Sequence, residues 1–272
     1  MDSKNQVDSS YDAQDEEVFI ADMFEEPEYY NTESQKPQII KYNLEEPLSG
    51  KSEISLRLVG THPLWGHYLW NAAKVLVKFL QQNTHFIKEK NILELGAASG
   101  LPSLASVMLG AKKVVMTDYP DANLIENMNF NALENFPSEI KNGTLVVDGF
   151  IWGKDVSPLL KHLPEGQSYD TLILSDLVFN HSEHKALLKS CKELFMGTES
   201  SIKSNNAKAA LVFFSHHIPK NADKDISFFE VAQNQFGFKV EKVLETYTGP
   251  MFENDEGDVA VRGTVYGYML TL

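Results

Sequence analysis

One cysteine in 272 residues leaves no internal disulfide to form, and that residue, Cys191, falls in Leu187–Phe195, a spacing that reads as a buried helix face rather than a reactive thiol. The chain also lacks any uncharged apolar run of about 18 residues, so nothing in it reads as a membrane-crossing helix. Met1-Asp2-Ser3-Lys4 opens a segment without the apolar core of a secretory signal. Positive charge is scarce: 24 Lys and Arg stand against 38 Asp and Glu, a net of −14. No Lys/Arg stripe is available for phosphates, which argues against direct nucleic-acid binding. Metal-ligand spacings such as C-x-x-C or H-E-x-x-H are missing too, so no metal is expected. The chain is expected to be soluble, cytoplasmic and monomeric, and its acidic field suits a basic protein partner.

The acid is unevenly spread. Residues 1–50 hold 13 acidic and 3 basic side chains, a net of −10, which leaves −4 for the other 222. Residues 1–20 are expected to form a disordered acidic leader, with residues 21–272 as one domain. The apolar island Val18–Phe24 reads either as a segment laid over the domain surface or as a lid on the substrate side.

The most informative run is Asn91-Ile92-Leu93-Glu94-Leu95-Gly96-Ala97-Ala98-Ser99-Gly100-Leu101-Pro102, with Val114-Val115-Met116-Thr117-Asp118 after it. An apolar strand enters a small-residue turn, a helix carries the chain back, and a second strand ends on a carboxylate about 20 residues on, the pattern of a nucleotide-binding βαβ unit. Gly96 and Gly100 allow a backbone that other residues avoid, and Ala97, Ala98 and Ser99 keep side chains away from a ligand lying across the strand end. Asp118 stands where a carboxylate can accept from both ribose hydroxyls. A dinucleotide site would want a third glycine where Leu101-Pro102 stand. Glu94 would repel a pyrophosphate but suits a ligand with an amino group and a sulfonium.

Around this unit the chain reads as alternating strands and helices. Ile54–Val59 is a strand, Pro63 to about Gln82 a helix with Leu69, Ala72, Ala73, Leu76, Val77 and Leu80 on its buried stripe, and Asn123–Asn135 another helix. Strands follow at Leu145–Phe150, Thr171–Asp176 and Ala209–Ser215, nearly continuous in apolar character, as strands covered on both faces must be. Helices at Ser182–Phe195 and Ile226–Phe236 connect them, and Thr198–Asn206 is a polar loop. Lys239–Thr246 and Val259–Leu270 read as long strands joined by the Gly/Pro/Asp-rich stretch 248–258, hence an antiparallel pair. The expected fold is α/β: a Rossmann-like, doubly wound, mostly parallel seven-stranded sheet closed by a C-terminal antiparallel hairpin.

In such sheets ligands lie beyond the carboxyl ends of the strands. The Gly96–Gly100 turn, Asp118, Phe150-Ile151-Trp152-Gly153 and Ser175-Asp176-Leu177-Val178-Phe179-Asn180 converge there. The Trp152 indole could lie on an adenine face or simply pack on the core, and Ser175 would line the floor. Trp65, read as starting the first long helix, could close the pocket; Trp70 reads as core. His181 or His184 could take a proton, and His216-His217 is a further histidine pair at a strand end.

Trp65, E-L-G-A-A-S-G-L-P, T-D-Y-P-D at 117–121, the Trp-Gly after the third strand and S-D-L-V-F-N-H-S-E-H at 175–184 resemble the seven-strand S-adenosylmethionine-dependent protein methyltransferases of the lysine-modifying group. Within it they are most similar to the fungal enzymes that methylate the N-terminus and an adjacent lysine of translation elongation factor 1-alpha. The likeness spans about residues 20–270, with Ala98 in place of the middle glycine of the group's first motif. It implies S-adenosyl-L-methionine contacts from Trp65, Gly96, Ala97, Ala98, Asp118, Trp152 and Ser175, with Glu94 and Gly100 in the same turn. It also implies that Asp176 opens a D-x-x-Y/F substrate motif, ended here by Phe179. Asp176 is expected to steer an incoming ammonium, with Phe179 and Tyr119 as walls for a methylated cation. A small-molecule N-methyltransferase of the nicotinamide kind and a non-catalytic cofactor-binding module remain alternatives.

Overall fold

The computed structural model describes residues 36–48, 50–197 and 208–272. The expected leader, the apolar island 18–24 and the loop expected at 198–206 lie outside the described residues. Nine strands are described: β1 (Gln38–Leu48), β2 (Lys51–Leu58), β3 (Asn91–Leu95), β4 (Lys113–Asp118), β5 (Leu145–Gly149), β6 (Thr171–Ser175), β7 (Ala209–Ser215), β8 (Lys239–Tyr247) and β9 (Thr264–Thr271). The helices are α1 (Asn71–Gln82), α2 (Leu101–Met108), α3 (Ala122–Asn135), α4 (Pro137–Lys141), α5 (Ser157–Leu160), α6 (His184–Met196), α7 (Ala222–Phe236) and α8 (Val259–Arg262).

Strands β3 to β9 form one seven-stranded sheet in the order β5-β4-β3-β6-β7-β9-β8. The pairs from β5 through to β7 are parallel, and β9 runs antiparallel to both β7 and β8. The chain leaves β3 toward β4 and β5, then returns to place β6 and β7 on β3's other side. This reversal opens a crevice at the carboxyl ends of β3 and β6. Alternation along each strand feeds two cores. Ile92, Val114, Met116, Leu211 and Phe213 pack under α1, α2 and α3, whereas Leu93, Leu95, Val115, Val212 and Phe214 pack under α5, α6 and α7. Burial on both faces explains why these strands are apolar throughout. Strand β8, at the sheet's edge, instead carries Lys239, Glu241, Lys242 and Glu245, which discourage pairing with another chain.

Besides the short helices α4 and α5, which were not anticipated, three elements depart from the sequence-based reading. Strand β1 was not anticipated: it pairs only with β2, leaves Ile39 62% exposed, and lies in the acidic part of the chain, so its apolar signal is diluted. The hairpin is fastened by asparagines spaced one helical turn apart on α3, which act as a substitute strand. Asn131 accepts from Arg57 N at 2.6 Å and donates to Arg57 O at 2.9 Å, and Asn135 does the same for Ser55 at 3.1 and 2.8 Å.

Second, Pro63 to Trp70 is not helical. Trp65 has φ +57°, a left-handed conformation that a helix cannot contain, and helix α1 starts only at Asn71. Tertiary packing overrides the apolar spacing here: Gly66 is wedged against Leu124 and Val59, and the Trp65 indole stacks near His67 and Tyr68, with centroids 5.7 and 6.4 Å away. Third, Val259–Arg262 forms one helical turn before β9, because Asp258 Oδ1 accepts from Ala260 N at 2.7 Å and Val261 N at 3.3 Å as an N-cap.

Candidate functional site

The turn after β3 is shaped by three left-handed residues, Gly96 (φ +66°), Ala98 (φ +49°) and Gly100 (φ +78°). A Cβ on Gly96 would stand 2.6 Å from Leu177 Cδ2 and 3.3 Å from Trp152 Cζ2, and one on Gly100 would stand 2.0 Å from Met116 Sδ. Ala98 tolerates its conformation because its N–H donates to Asp118 Oδ2 at 2.6 Å. Ala97 N donates to Thr117 O at 2.9 Å, pinning the turn to the end of β4. Ala98 therefore takes up the left-handed conformation at the position where the resembled motif has its middle glycine.

Asp118 holds the turn with both oxygens, since Oδ1 accepts from Tyr119 N at 2.7 Å. The residue is only 9% exposed, and burial keeps its pKa above the ordinary value despite those two N–H donors and nearby His62. Beneath it, Glu94 is fully buried, and its Oε2 accepts from Ser103 N at 2.9 Å and Ser103 Oγ at 2.5 Å. Ser103 is the third residue of α2, so Glu94 satisfies one of that helix's free N–H groups from the sheet below. Burial raises the Glu94 pKa to about 8. The group expected to face a ligand's amino group is thus engaged with the helix.

Phe150 N donates to Asp118 O at 2.8 Å and so ties the loop after β5 to the same corner, with Trp152 reaching Gly96 from it. On the loop before α1, a Cβ at Gly66 would lie 3.7 Å from Ala98 Cβ, so the Trp65 segment passes beside the turn. Trp152 also lines a groove of about 400 Å³ with Lys154, Lys185, Lys189 and Phe236 on the α6 side.

Leu177 touches Gly96, and the residue before it, Asp176, is the third strained non-glycine of this region at φ +60°. Asp176 is 5% exposed. Its Oδ1 accepts from His217 Nε2 at 2.9 Å and from Ser215 N at 3.4 Å, while its buried Oδ2 has no hydrogen-bond partner among the described residues. Strain and an unsatisfied buried carboxylate oxygen at one residue mark a place built for a ligand rather than for stability. Aromatic rings gather beside this pair: Trp70 lies 4.7 Å from the His217 ring, and Phe252 lies 5.0 Å from Tyr68 and 6.1 Å from Trp70. Arg262 Nη1 holds Phe252 by its carbonyl at 2.7 Å.

A second carboxylate backs the first. Asp225 Oδ1 takes His181 Nε2 at 2.6 Å and Oδ2 takes His216 Nδ1 at 2.7 Å. Burial alone would raise the Asp225 pKa, but those two hydrogen bonds hold it below its ordinary value. His184 is buried, which lowers its pKa, and its Nε2 donates to Val178 O at 2.6 Å. Among the described residues no group of three His, Cys, Asp or Glu is arranged to hold a metal ion, and no helix is long and apolar enough to cross a membrane.

The structure therefore brings Gly96, Ala97, Ala98, Gly100, Asp118, Trp152 and Asp176 to one corner, with Ser175 ending β6 and Phe179 half-buried three residues beyond Asp176. Tyr119 is 51% exposed. Sequence reasoning did not place Trp70, Phe252 and His217 beside Asp176. The histidine pair at a strand's carboxyl end was a signal; Phe252 gave none, because its loop meets the site only through tertiary packing.

A mostly parallel seven-stranded sheet with a glycine-bent turn and a carboxylate on the neighbouring strand is the architecture of an S-adenosylmethionine-dependent methyltransferase. Solved structures of the same fold include the Pyrococcus horikoshii protein TYW2 in complex with MeSAdo (TM-score 0.50, 13% identity, covering 88% of this chain and 72% of that one). Another is SMU.776 complexed with SAH (TM-score 0.51, 12% identity, 89% and 58%). The lysine methyltransferase family model matches residues 55–234. A protein of Cryptococcus neoformans var. neoformans named protein N-terminal and lysine N-methyltransferase EFM7 is 47% identical over 80% of this chain and 75% of its own length. Its namesake in Schizosaccharomyces pombe is 42% identical over 92% and 94%. The chain belongs to this lysine methyltransferase family, and its cofactor is S-adenosylmethionine.

The corner fits that cofactor. Gly96, lacking a Cβ, lets Leu177 and the Trp152 indole close on the turn, and the buried Asp118 carboxylate beside it is oriented by two N–H groups.

Proposed function

We propose that this chain methylates the N-terminal α-amine and/or a nearby lysine of a protein, translation elongation factor 1-alpha, acting as a cytoplasmic monomer without direct nucleic-acid contact. The names of its relatives and the motif at 175–184 support the acceptor class. The observation that carries the reading is the buried, unpartnered Oδ2 of Asp176, next in sequence to the residue that packs on Gly96.

The bound cofactor supplies a methyl group on a sulfonium. Everything else falls to the chain: alignment, exclusion of water and a neutral amine at the moment of transfer. In this reading Trp65, Gly96, Ala97, Ala98, Gly100, Asp118, Trp152 and Ser175 make the cofactor contacts. Glu94 supports the turn through Ser103, Asp176 receives the substrate ammonium, and Phe179 and Tyr119 wall the acceptor. An α-amine, with a reference pKa of about 8, gives up its proton far more readily than a lysine at about 10.4, so the N-terminus is the easier acceptor.

The test is mass spectrometry of recombinant elongation factor 1-alpha after incubation with the enzyme and labelled cofactor. Label is expected on the N-terminal nitrogen or a nearby lysine. Asp176→Asn should lose it while still binding S-adenosylhomocysteine. Label confined to small molecules, or absent altogether, overturns the reading.

A further inference from the structure

Asp176 presents two oxygens with different fates, and His217 decides between them. Nε2 of His217 occupies Oδ1 at 2.9 Å, the Trp70 ring lies 4.7 Å from the imidazole, and Oδ2 is left buried without a partner among the described residues. We propose that His217 is the positioning residue of the acceptor site: it locks Asp176 so that Oδ2 faces the substrate's cationic nitrogen, and its own charge sets how tightly that cation is held. The proposal rests on the acceptor role given to Asp176 above.

The electrostatics around His217 follow from its neighbours. Asp176 approaches from the end of β6, Asp225 from α7 and Asp255 from the 248–258 loop, where Arg262 of α8 offsets Asp255. His216, the next residue in the chain, and His181 are both engaged by Asp225. Burial disfavours a charged imidazole, but the charge and hydrogen bond of Asp176, with Asp225 and Asp255, outweigh it and raise the His217 pKa. With His217 protonated the Asp176–His217 pair is neutral. Once His217 loses its proton, the pair carries one negative charge beside the acceptor, and a cation is held more strongly.

Three proteins distinguish this from simple packing: wild type, His217→Gln, which keeps a donor near Nε2 but cannot titrate, and His217→Phe, which keeps a ring but no donor. The probe is a trimethylated N-terminal peptide of elongation factor 1-alpha, whose charge does not change with pH, titrated by calorimetry with S-adenosylhomocysteine present. Wild-type affinity should rise with pH, by roughly fivefold across the His217 titration. His217→Gln should bind as wild type does at high pH and show no such rise. In His217→Phe the buried Asp176 loses the donor that fixes Oδ1, so its carboxylate is no longer held in place, and the acceptor KM rises roughly tenfold or more with kcat changed less.

Binding of S-adenosylhomocysteine should stay within about twofold in both variants, since the turn is held by Thr117 and Asp118 whereas His217 bonds Asp176. A wild-type affinity that is flat with pH, or a His217→Phe acceptor KM equal to wild type, overturns the proposal. Absence of methyl transfer by the wild type is the separate result that removes the acceptor reading itself. Should His217→Phe fail to fold, the pH profile of His217→Gln against wild type still decides the matter.

Discussion

Replacing Asp118 with asparagine probes the corner proposed to hold the cofactor. The native carboxylate accepts two short bonds, from Ala98 N at 2.6 Å and Tyr119 N at 2.7 Å. An asparagine can accept only one of them, because its NH₂ must face the other donor. One buried N–H is then orphaned, at a cost of about 1–3 kcal/mol. Part of that cost is offset, since burial already disfavours the Asp118 charge. A net loss of about 1 kcal/mol is expected, equivalent to a fall in Tm of roughly 2–4 °C for a chain of this size. Affinity should suffer more. Two ribose hydroxyls would lose a charged acceptor at about 1.5 kcal/mol or more each, which predicts a rise of at least about a hundredfold in the Kd for S-adenosylhomocysteine. Titration calorimetry measures this, with denaturant unfolding run alongside. A Kd for Asp118→Asn within twofold of wild type would refute the assignment of Asp118 as the ribose acceptor.

Other consequences are equally direct. Glu94, with its folded pKa raised to about 8 from 4.5, contributes stability that is complete below pH 4.5 and is lost as pH rises through 8. Glu94→Gln, whose side-chain oxygen can still accept from Ser103, should remove most of that decline, so its unfolding free energy should overtake wild type toward pH 8; parallel pH profiles would contradict this. Gly100→Ala forces a Cβ to 2.0 Å from Met116 Sδ at φ +78°, whereas Gly50→Ala at the same φ meets nothing within 4 Å. Gly50→Ala should therefore cost only about 1 kcal/mol and Gly100→Ala several, as thermal unfolding would show. Asn131→Ala removes bonds to Arg57 N, Arg57 O and Ser99 O from a fully buried site. A loss of about 2–4 kcal/mol and faster proteolysis within the β1–β2 hairpin are expected; unchanged proteolysis would mean that the hairpin is held elsewhere.

Strands β3, β4, β6 and β7 were legible because each is buried on both faces and must be apolar along its whole length. The Gly96–Gly100 turn and Asp118 were legible for a different reason: they are local, with spacing set by one strand, one helix and the next strand. Strand β1 was not, since its only partner is β2 and its outer face is wet. Nor was the break in the helix at 63–70, where the apolar spacing is real but Trp65 is held in a left-handed turn by its packing.

Sequence by itself determined the order of strands β3 to β9 and of the long helices between them, the switch to an antiparallel end and the residue types at the Gly96–Gly100 turn, because periodicity and short spacings encode local geometry. Only the tertiary structure decided that Glu94 serves helix α2, that Asn131 and Asn135 of α3 fasten the β1–β2 hairpin, and that Asp176, His217, Trp70 and Phe252 meet. Those groups come from four separate segments of the chain, and their meeting depends on sheet order and loop packing, which no periodicity records.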